Sequence, residues 1–209
     1  PKVKKLNCID PSKLAIKVAK KNLFEQNNVK FINSNISKNI LSKNSQDFGY
    51  CLGVLHHVED TLKGLRFSNR ILKKNAPYLI YLYYNFDNRG FIYRSIWKVS
   101  NLFRLIISKL PFKVKKVLTD LIAILIYYPL AKFSLILSYL GIRSEVLPLS
   151  FYKNESLYTM RTDSLDRFGT KLEKRFSKKE ITNLLNKTGF KDVKFSNKMP
   201  YWVAICKKK

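Results

Sequence analysis

Acidic residues, glycine, proline, cysteine and histidine are all scarce in this chain. Its 209 residues hold 14 Asp and Glu against 40 Lys and Arg, with seven Gly, seven Pro, three Cys and two His. So little glycine and proline excludes a collagen-like or linker-like polymer, and no internal repeat points to a solenoid. Cys8, Cys51 and Cys206 are odd in number, far apart and without a Cys-x-x-Cys pair. That argues against a disulfide framework and a zinc module, and for thiols acting as small hydrophobes in a reduced, cytosolic compartment. No signal-peptide pattern is visible. The chain begins at Pro1 and enters a strand-like run almost at once, which reads as a truncated start.

What is present is a globular composition, 46% hydrophobic, in a length that suits one domain with a full core. The formal net charge is +26. A field of that sign attracts phosphates, so nucleic acid or an anionic membrane surface enters as a partner class. The plainer account is compositional. The lysines are scattered in a chain rich in Lys, Asn and Ile, with no block marking a site.

Along the chain, 2–9 reads as a strand ending at Asp10-Pro11-Ser12, with Ser12 placed to cap a helix over 13–26. A strand over 29–32 follows, then one over 48–54. Asp60 is placed to cap a helix running to 74, and 78–84 reads as a further strand. Near-continuous apolar strands alternating with helices indicate a doubly wound α/β fold whose mostly parallel sheet is covered on both faces. The rhythm breaks over 89–150, where only helical patterns occur. This predicts a helical insertion within the domain, packed over the sheet edge; a membrane-surface helix pair is the rival. The apolar run 121–131 falls short of the roughly 20 residues a membrane span needs. Ser177-Lys178-Lys179-Glu180 is a capping box for a helix to 188, ended by Gly189. Strands over 193–195 and 202–205 then form an antiparallel hairpin at the sheet edge.

Ligands of such sheets bind outside the carboxyl ends of the strands, where a carboxylate can accept from both hydroxyls of a ribose. Asp10 has that position; its other reading is a charge at a helix N-terminus. The segment Leu52-Gly53-Val54-Leu55-His56-His57-Val58-Glu59-Asp60 leads from a strand into a helix. Taken with Cys8-Ile9-Asp10-Pro11-Ser12 and the strand from Tyr78, it resembles the class I S-adenosylmethionine-dependent methyltransferases of the small-molecule type. The resemblance covers 2–85 and 176–209.

That resemblance implies S-adenosyl-L-methionine as cofactor. It implies Asp10 on the ribose, Pro11 and Ser12 beside the adenine, Asn35 and Ile36 on the adenine edge, and Leu52, Gly53 and Val54 along the methionine part. His56 and His57 would sit at the active-site mouth. The family's first strand and glycine-rich loop have no counterpart before Asp10. The family often has Asp where Asn35 stands, and a Pro-Gly-Gly turn where this chain has Asn75-Ala76-Pro77.

The two histidines have three readings: they shape the pocket, one is a general base, or they bind a metal, for which no third ligand is evident. Metal is not expected. The acceptor side is assigned to Tyr83, Tyr84 and Asn85 with Arg161 and Arg167, the arginines taking a carboxylate or phosphate in a fork. The other reading of the arginines is ordinary salt bridging within a loop. The acceptor expected is a small or lipid-like molecule, on the strength of the apolar insertion and the tyrosines. RNA is the alternative acceptor, and a non-catalytic scaffold touching a membrane or partner through 117–140 is the third reading.

Overall fold

The structure, a computed structural model, describes residues 2–36, 40–144, 147–198 and 201–209. The chain divides into two compact units, Pro1–Asn85 with Arg175–Lys209, and Phe86–Lys174.

The first unit has the α/β pattern. Strand β1 (Leu6–Asp10) pairs in parallel with β2 (Val29–Asn33), with Cys8 opposite Phe31. Between them lies α1 (Lys13–Asn22), whose first turn is closed by Ser12 Oγ accepting from the Ala15 N–H at 3.2 Å. The helix stops four residues before the expected end at 26.

The other four strands form one sheet in the order β3-β4-β6-β5. Strand β3 (Gly49–Leu52) runs parallel to β4 (Pro77–Tyr81), while β6 (Val203–Lys208) lies antiparallel to β4, and β5 (Phe190–Phe195) pairs antiparallel with β6 as the outer strand. Helix α2 (Thr61–Ile71) starts where Asp60 accepts from the Lys63 N–H at 2.9 Å. Helix α7 (Lys178–Lys187) starts on the capping box, with Ser177 and Glu180 bonded reciprocally. Gly189 takes φ +85°, a conformation cheap only for glycine, and turns the chain into β5.

The core forms where these faces meet. Leu65 of α2, Ile181 and Leu185 of α7, Tyr78 and Ile80 of β4, and Phe190 of β5 all belong to one buried cluster. Each such side chain removed from water stabilises the fold by about 1.5–3 kcal/mol.

The parallel strands fall into two sheets. Among the described residues, β1 pairs with β2 alone and β3 with β4 alone, so β1 and β3 each keep one unpaired edge. Two side-chain links join the sheets. Asn7 Nδ2 in β1 donates to Gln46 Oε1, ahead of β3, at 2.9 Å. Ile36, just past β2, packs on the same cluster as Leu55, just past β3. The first link joins amino ends and the second carboxyl ends, so all four parallel strands run the same way.

The second unit is helical: α3 (Phe91–Ile107), α4 (Phe112–Ile122), α5 (Tyr128–Tyr139) and α6 (Leu157–Gly169), with a 3₁₀ turn at Ser150–Asn154. Helices α4 and α5 are continuous through one wide π turn, Ala123–Tyr127, where the Tyr128 N–H reaches back to the Ala123 carbonyl. Pro129 follows at once. A proline ring clashes with the carbonyl four residues back, and a widened turn relieves that clash. Ile107, Ala123, Tyr127, Ala131, Met160 and Phe168 make this unit's own core. The unit reaches Lys174, well past the expected insertion boundary at 150, because α6 packs on α4 through Ser164 Oγ donating to the Thr119 carbonyl at 2.8 Å.

Candidate functional site

Every candidate residue of the first unit stands at or just beyond the carboxyl end of a parallel strand. Asp10 closes β1. Its Oδ1 accepts from the Ser12 N–H at 2.7 Å, which fixes the turn into α1. The backbone beside it is held from β2: Asn33 Nδ2 donates to the Asp10 carbonyl at 3.0 Å and to the Pro11 carbonyl at 2.9 Å, and the Ser34 N–H donates to the Asp10 carbonyl at 3.1 Å. Pro11 and Ser12 are exposed beside it. Asp10 Oδ2 has no hydrogen-bond partner among the described residues. Asn33 was not singled out from the sequence. A polar residue ending a strand has no visible partner until the register sets it opposite Asp10.

Past β2, Asn35 is exposed and Ile36 half-buried. The two therefore divide the work, Asn35 facing out and Ile36 anchoring the loop on the core. At the end of β3, Leu52 and Val54 are 48% and 43% exposed, an unusual placement for apolar side chains flanking a buried turn. Between them Gly53 sits at φ +73° and donates its N–H to the Tyr81 carbonyl at 3.1 Å. The turn thus offers a bare backbone edge and two apolar walls to a ligand.

His56 behaves differently from His57. It is fully buried, stacked on Tyr83 with ring centroids 3.7 Å apart and 25° between planes, and its Nδ1 accepts from the Tyr83 N–H at 3.4 Å. Burial, with the His57 and Arg175 charges nearby, pulls its pKa down to about 3. Near neutral pH the ring is therefore neutral, and the Nδ1 hydrogen bond places its proton on Nε2, which has no partner among the described residues. A base of that pKa is poorly matched to proton abstraction at pH 7, so the buried ring is suited to shaping the turn. His57 lies 4.1 Å from it, centroid to centroid, and edge-on to Tyr83 at 5.6 Å.

A neutral buried histidine makes stability depend on pH. In the unfolded chain His56 takes up a proton below about 6.5; in the folded chain it does so only near 3. Its contribution is therefore intact above the unfolded pKa and is lost as pH falls from about 6.5 toward 3, at up to about 1.4 kcal/mol per unit. His56→Phe is expected to flatten that part of a urea-unfolding stability curve. An unchanged slope would contradict the buried neutral ring.

Arg175 joins this cluster and was not singled out from the sequence. Its guanidinium lies 5.2 Å from the Tyr83 ring centroid and donates to the Tyr84 carbonyl at 3.1 Å. Tyr84 packs edge-on to Tyr201 and Trp202. Asn85 donates its N–H to the Phe176 carbonyl at 3.1 Å. The structure thus brings His56, His57, Tyr83 and Arg175 into one group.

Arg161 and Arg167 belong to the helical unit, and both guanidinium forks are engaged there. Arg161 makes a two-pronged pair with Asp120, Nε at 2.9 Å and Nη2 at 2.7 Å. That pairing, with Lys116, holds the Asp120 carboxyl well below its usual range. Arg167 donates to Glu173 at 3.0 Å and to Ser100 Oγ at 3.3 Å, between the Trp97 and Phe168 rings. No cluster of three potential metal ligands occurs among the described residues. A cavity of about 500 Å³ lined by Pro77, Val193, Ile205 and Lys207 lies at the amino end of β4, opposite the histidines.

Residues 2–80 match the family model described as a methyltransferase domain. No curated protein matches the chain. Among solved structures, it is similar to a possible exported protein from Bordetella parapertussis (TM-score 0.54, 12% identity, 98% of this chain and 53% of that one). It is also similar to a putative methyltransferase from Bacillus halodurans (TM-score 0.51, 12% identity, 92% and 55%). A third is a SAM-dependent methyltransferase from Methanosarcina mazei (TM-score 0.50, 14% identity, 98% and 82%). The chain spans about half the length of the Bordetella protein. At these identities the structures speak for the fold alone, a Rossmann-like α/β sheet, while the family match falls on the segment that carries Asp10, Gly53 and the two histidines. Residues 2–80, which carry this edge, are thus similar to a methyltransferase domain.

Proposed function

We propose that this chain transfers a methyl group from S-adenosyl-L-methionine to a small or lipid-like acceptor. The observation that carries the reading is Asp10 at the carboxyl end of β1. One carboxylate oxygen is fixed by Ser12 and the other is left for a ribose diol. The exposed Leu52-Gly53-Val54 edge at the end of β3 supports it. Asp10 would hold the ribose, Pro11, Ser12, Asn35 and Ile36 the adenine side, and Leu52, Gly53 and Val54 the methionine side.

The cofactor supplies a methyl group already activated on sulfur. The chain's own residues then have to bind, orient and keep water out, and positioning of this kind is worth about 7–11 kcal/mol. Tyr83, stacked on His56 and flanked by Arg175, gives the acceptor side an aromatic wall. His56, His57, Tyr84 and Asn85 shape that wall.

The unpaired parallel edges of β1 and β3 support one more element. A single further parallel strand between them would pair with both and bring a glycine-rich loop beside Asp10, where backbone must approach the cofactor closely.

Asp10→Ala is expected to weaken binding of S-adenosylmethionine by about 10- to 100-fold, the loss of one or two hydrogen bonds to a charged acceptor. Calorimetric titration measures this, with circular dichroism of the variant as the control for a disturbed helix start. Equal affinity for Asp10→Ala and the parent chain would overturn the assignment.

A further inference from the structure

The helix Phe112–Tyr139 is built inside out. It runs 28 residues and contains an 18-residue stretch of mean hydropathy 1.9, long and apolar enough to cross a membrane, yet little of that stretch is buried. The side turned into its own unit carries Thr119, Ala123, Tyr127, Ala131 and Ser134, all buried and mostly small or polar. The large apolar side chains point the other way: Val117 is 59% exposed, Leu125 68%, Phe133 51% and Ile136 55%. A water-facing helix shows the reverse arrangement, and an apolar stripe this long marks a binding surface.

Charge selects the occupant. From residue 88 to 140 the chain has nine Lys and Arg and one acidic residue, Asp120, and Asp120 is itself bound by Arg161 and Lys116. Lys113 and Lys116 are exposed on the first turns. Lys132 lies with its ammonium 5.5 Å from the Tyr128 ring centroid, a pair with apolar bodies and polar tips. A second copy of this face would set these lysines against one another, whereas an anionic lipid surface neutralises them and takes up the apolar stripe. The inner side argues against a span: it is committed to α6 through the Ser164–Thr119 hydrogen bond and the Arg161–Asp120 pair.

We propose that the outer face of Phe112–Tyr139 docks in the plane of an anionic lipid surface, with Val117, Leu125 and Phe133 in the acyl boundary and Lys113, Lys116 and Lys132 at the headgroups. This assignment stands on the helical unit alone and does not depend on methyl transfer.

Flotation of the full chain with phosphatidylcholine vesicles, with and without phosphatidylglycerol, tests it. Binding to the anionic vesicles only, weakened by raised salt, is expected. Leu125→Glu is expected to lower the binding constant ~10-fold or more, with circular dichroism unchanged because the side chain is exposed. Lys113→Glu, at an exposed position, is the second variant and is expected to weaken binding without loss of fold. Absence of flotation overturns the proposal, as does equal binding to neutral vesicles. A concentration-dependent dimer removed by Leu125→Glu, without flotation, also overturns it and assigns the face to a second copy.

Discussion

Arg167→Ala is expected to destabilise the helical unit by about 3–5 kcal/mol. The Glu173 side chain is 1% exposed and that of Arg167 12%, and the two meet at 3.0 Å. Truncating the arginine removes this cation from beside a carboxylate in a place water does not reach. The charge must then be neutralised or the segment must open. The guanidinium is also packed beside Trp97 and Phe168, so its loss removes apolar contact as well. Urea unfolding of the variant reads the cost. The paired variant Arg167→Met with Glu173→Leu is expected to recover most of it, because removing both partners leaves no charge stranded. A loss below about 1 kcal/mol would show a pair that is solvated in solution.

A loss of similar size, about 3–5 kcal/mol, is expected for Phe190→Ala. Phe190 is fully buried and stacks on Tyr78, with ring centroids 5.1 Å apart and 19° between planes. It is the first residue of the outermost strand, and its ring lies against β4, which leads directly into Tyr81 and Tyr83. The hole left behind lies between sheet and helix α7, where relaxation is limited. Chemical denaturation of the variant measures the loss, and a shift under 1.5 kcal/mol would mean that the site collapses around the smaller side chain.

The parts of this molecule that were legible in its sequence are those settled within a few residues. Ser177 and Glu180 satisfy each other's backbone donors, so the start of α7 is written in four positions. Asp60 caps α2, and Ser12 caps α1, for the same local reason. The hairpin of β5 and β6 and the parallel pairs followed from apolar runs. Strand limits were less legible. The run 78–84 is apolar throughout, but its ladder ends at Tyr81, because β6 offers Val203 as its last partner there. Beyond it Tyr84 bridges to Phe176 instead.

Long-range side-chain partners were not legible. Arg161 finds Asp120 across 41 residues, a pairing created by packing of α4 on α6. His56 and His57 are adjacent and read alike. Only the fold distinguishes them, by stacking His56 beneath Tyr83 and leaving His57 partly open. Asn33 and Arg175 carried no motif, and both take their places from strand register and chain return.

The central claim is that the carboxyl ends of β1 and β3 form an adenosyl-binding edge. Amide nuclear magnetic resonance of the chain titrated with S-adenosylhomocysteine tests it most directly. The account predicts saturable shifts concentrated at Asp10, Ser12, Leu52, Gly53 and Val54, which are lost in Asp10→Ala. A well-dispersed spectrum that does not respond, or responds only in the helical unit, would contradict it.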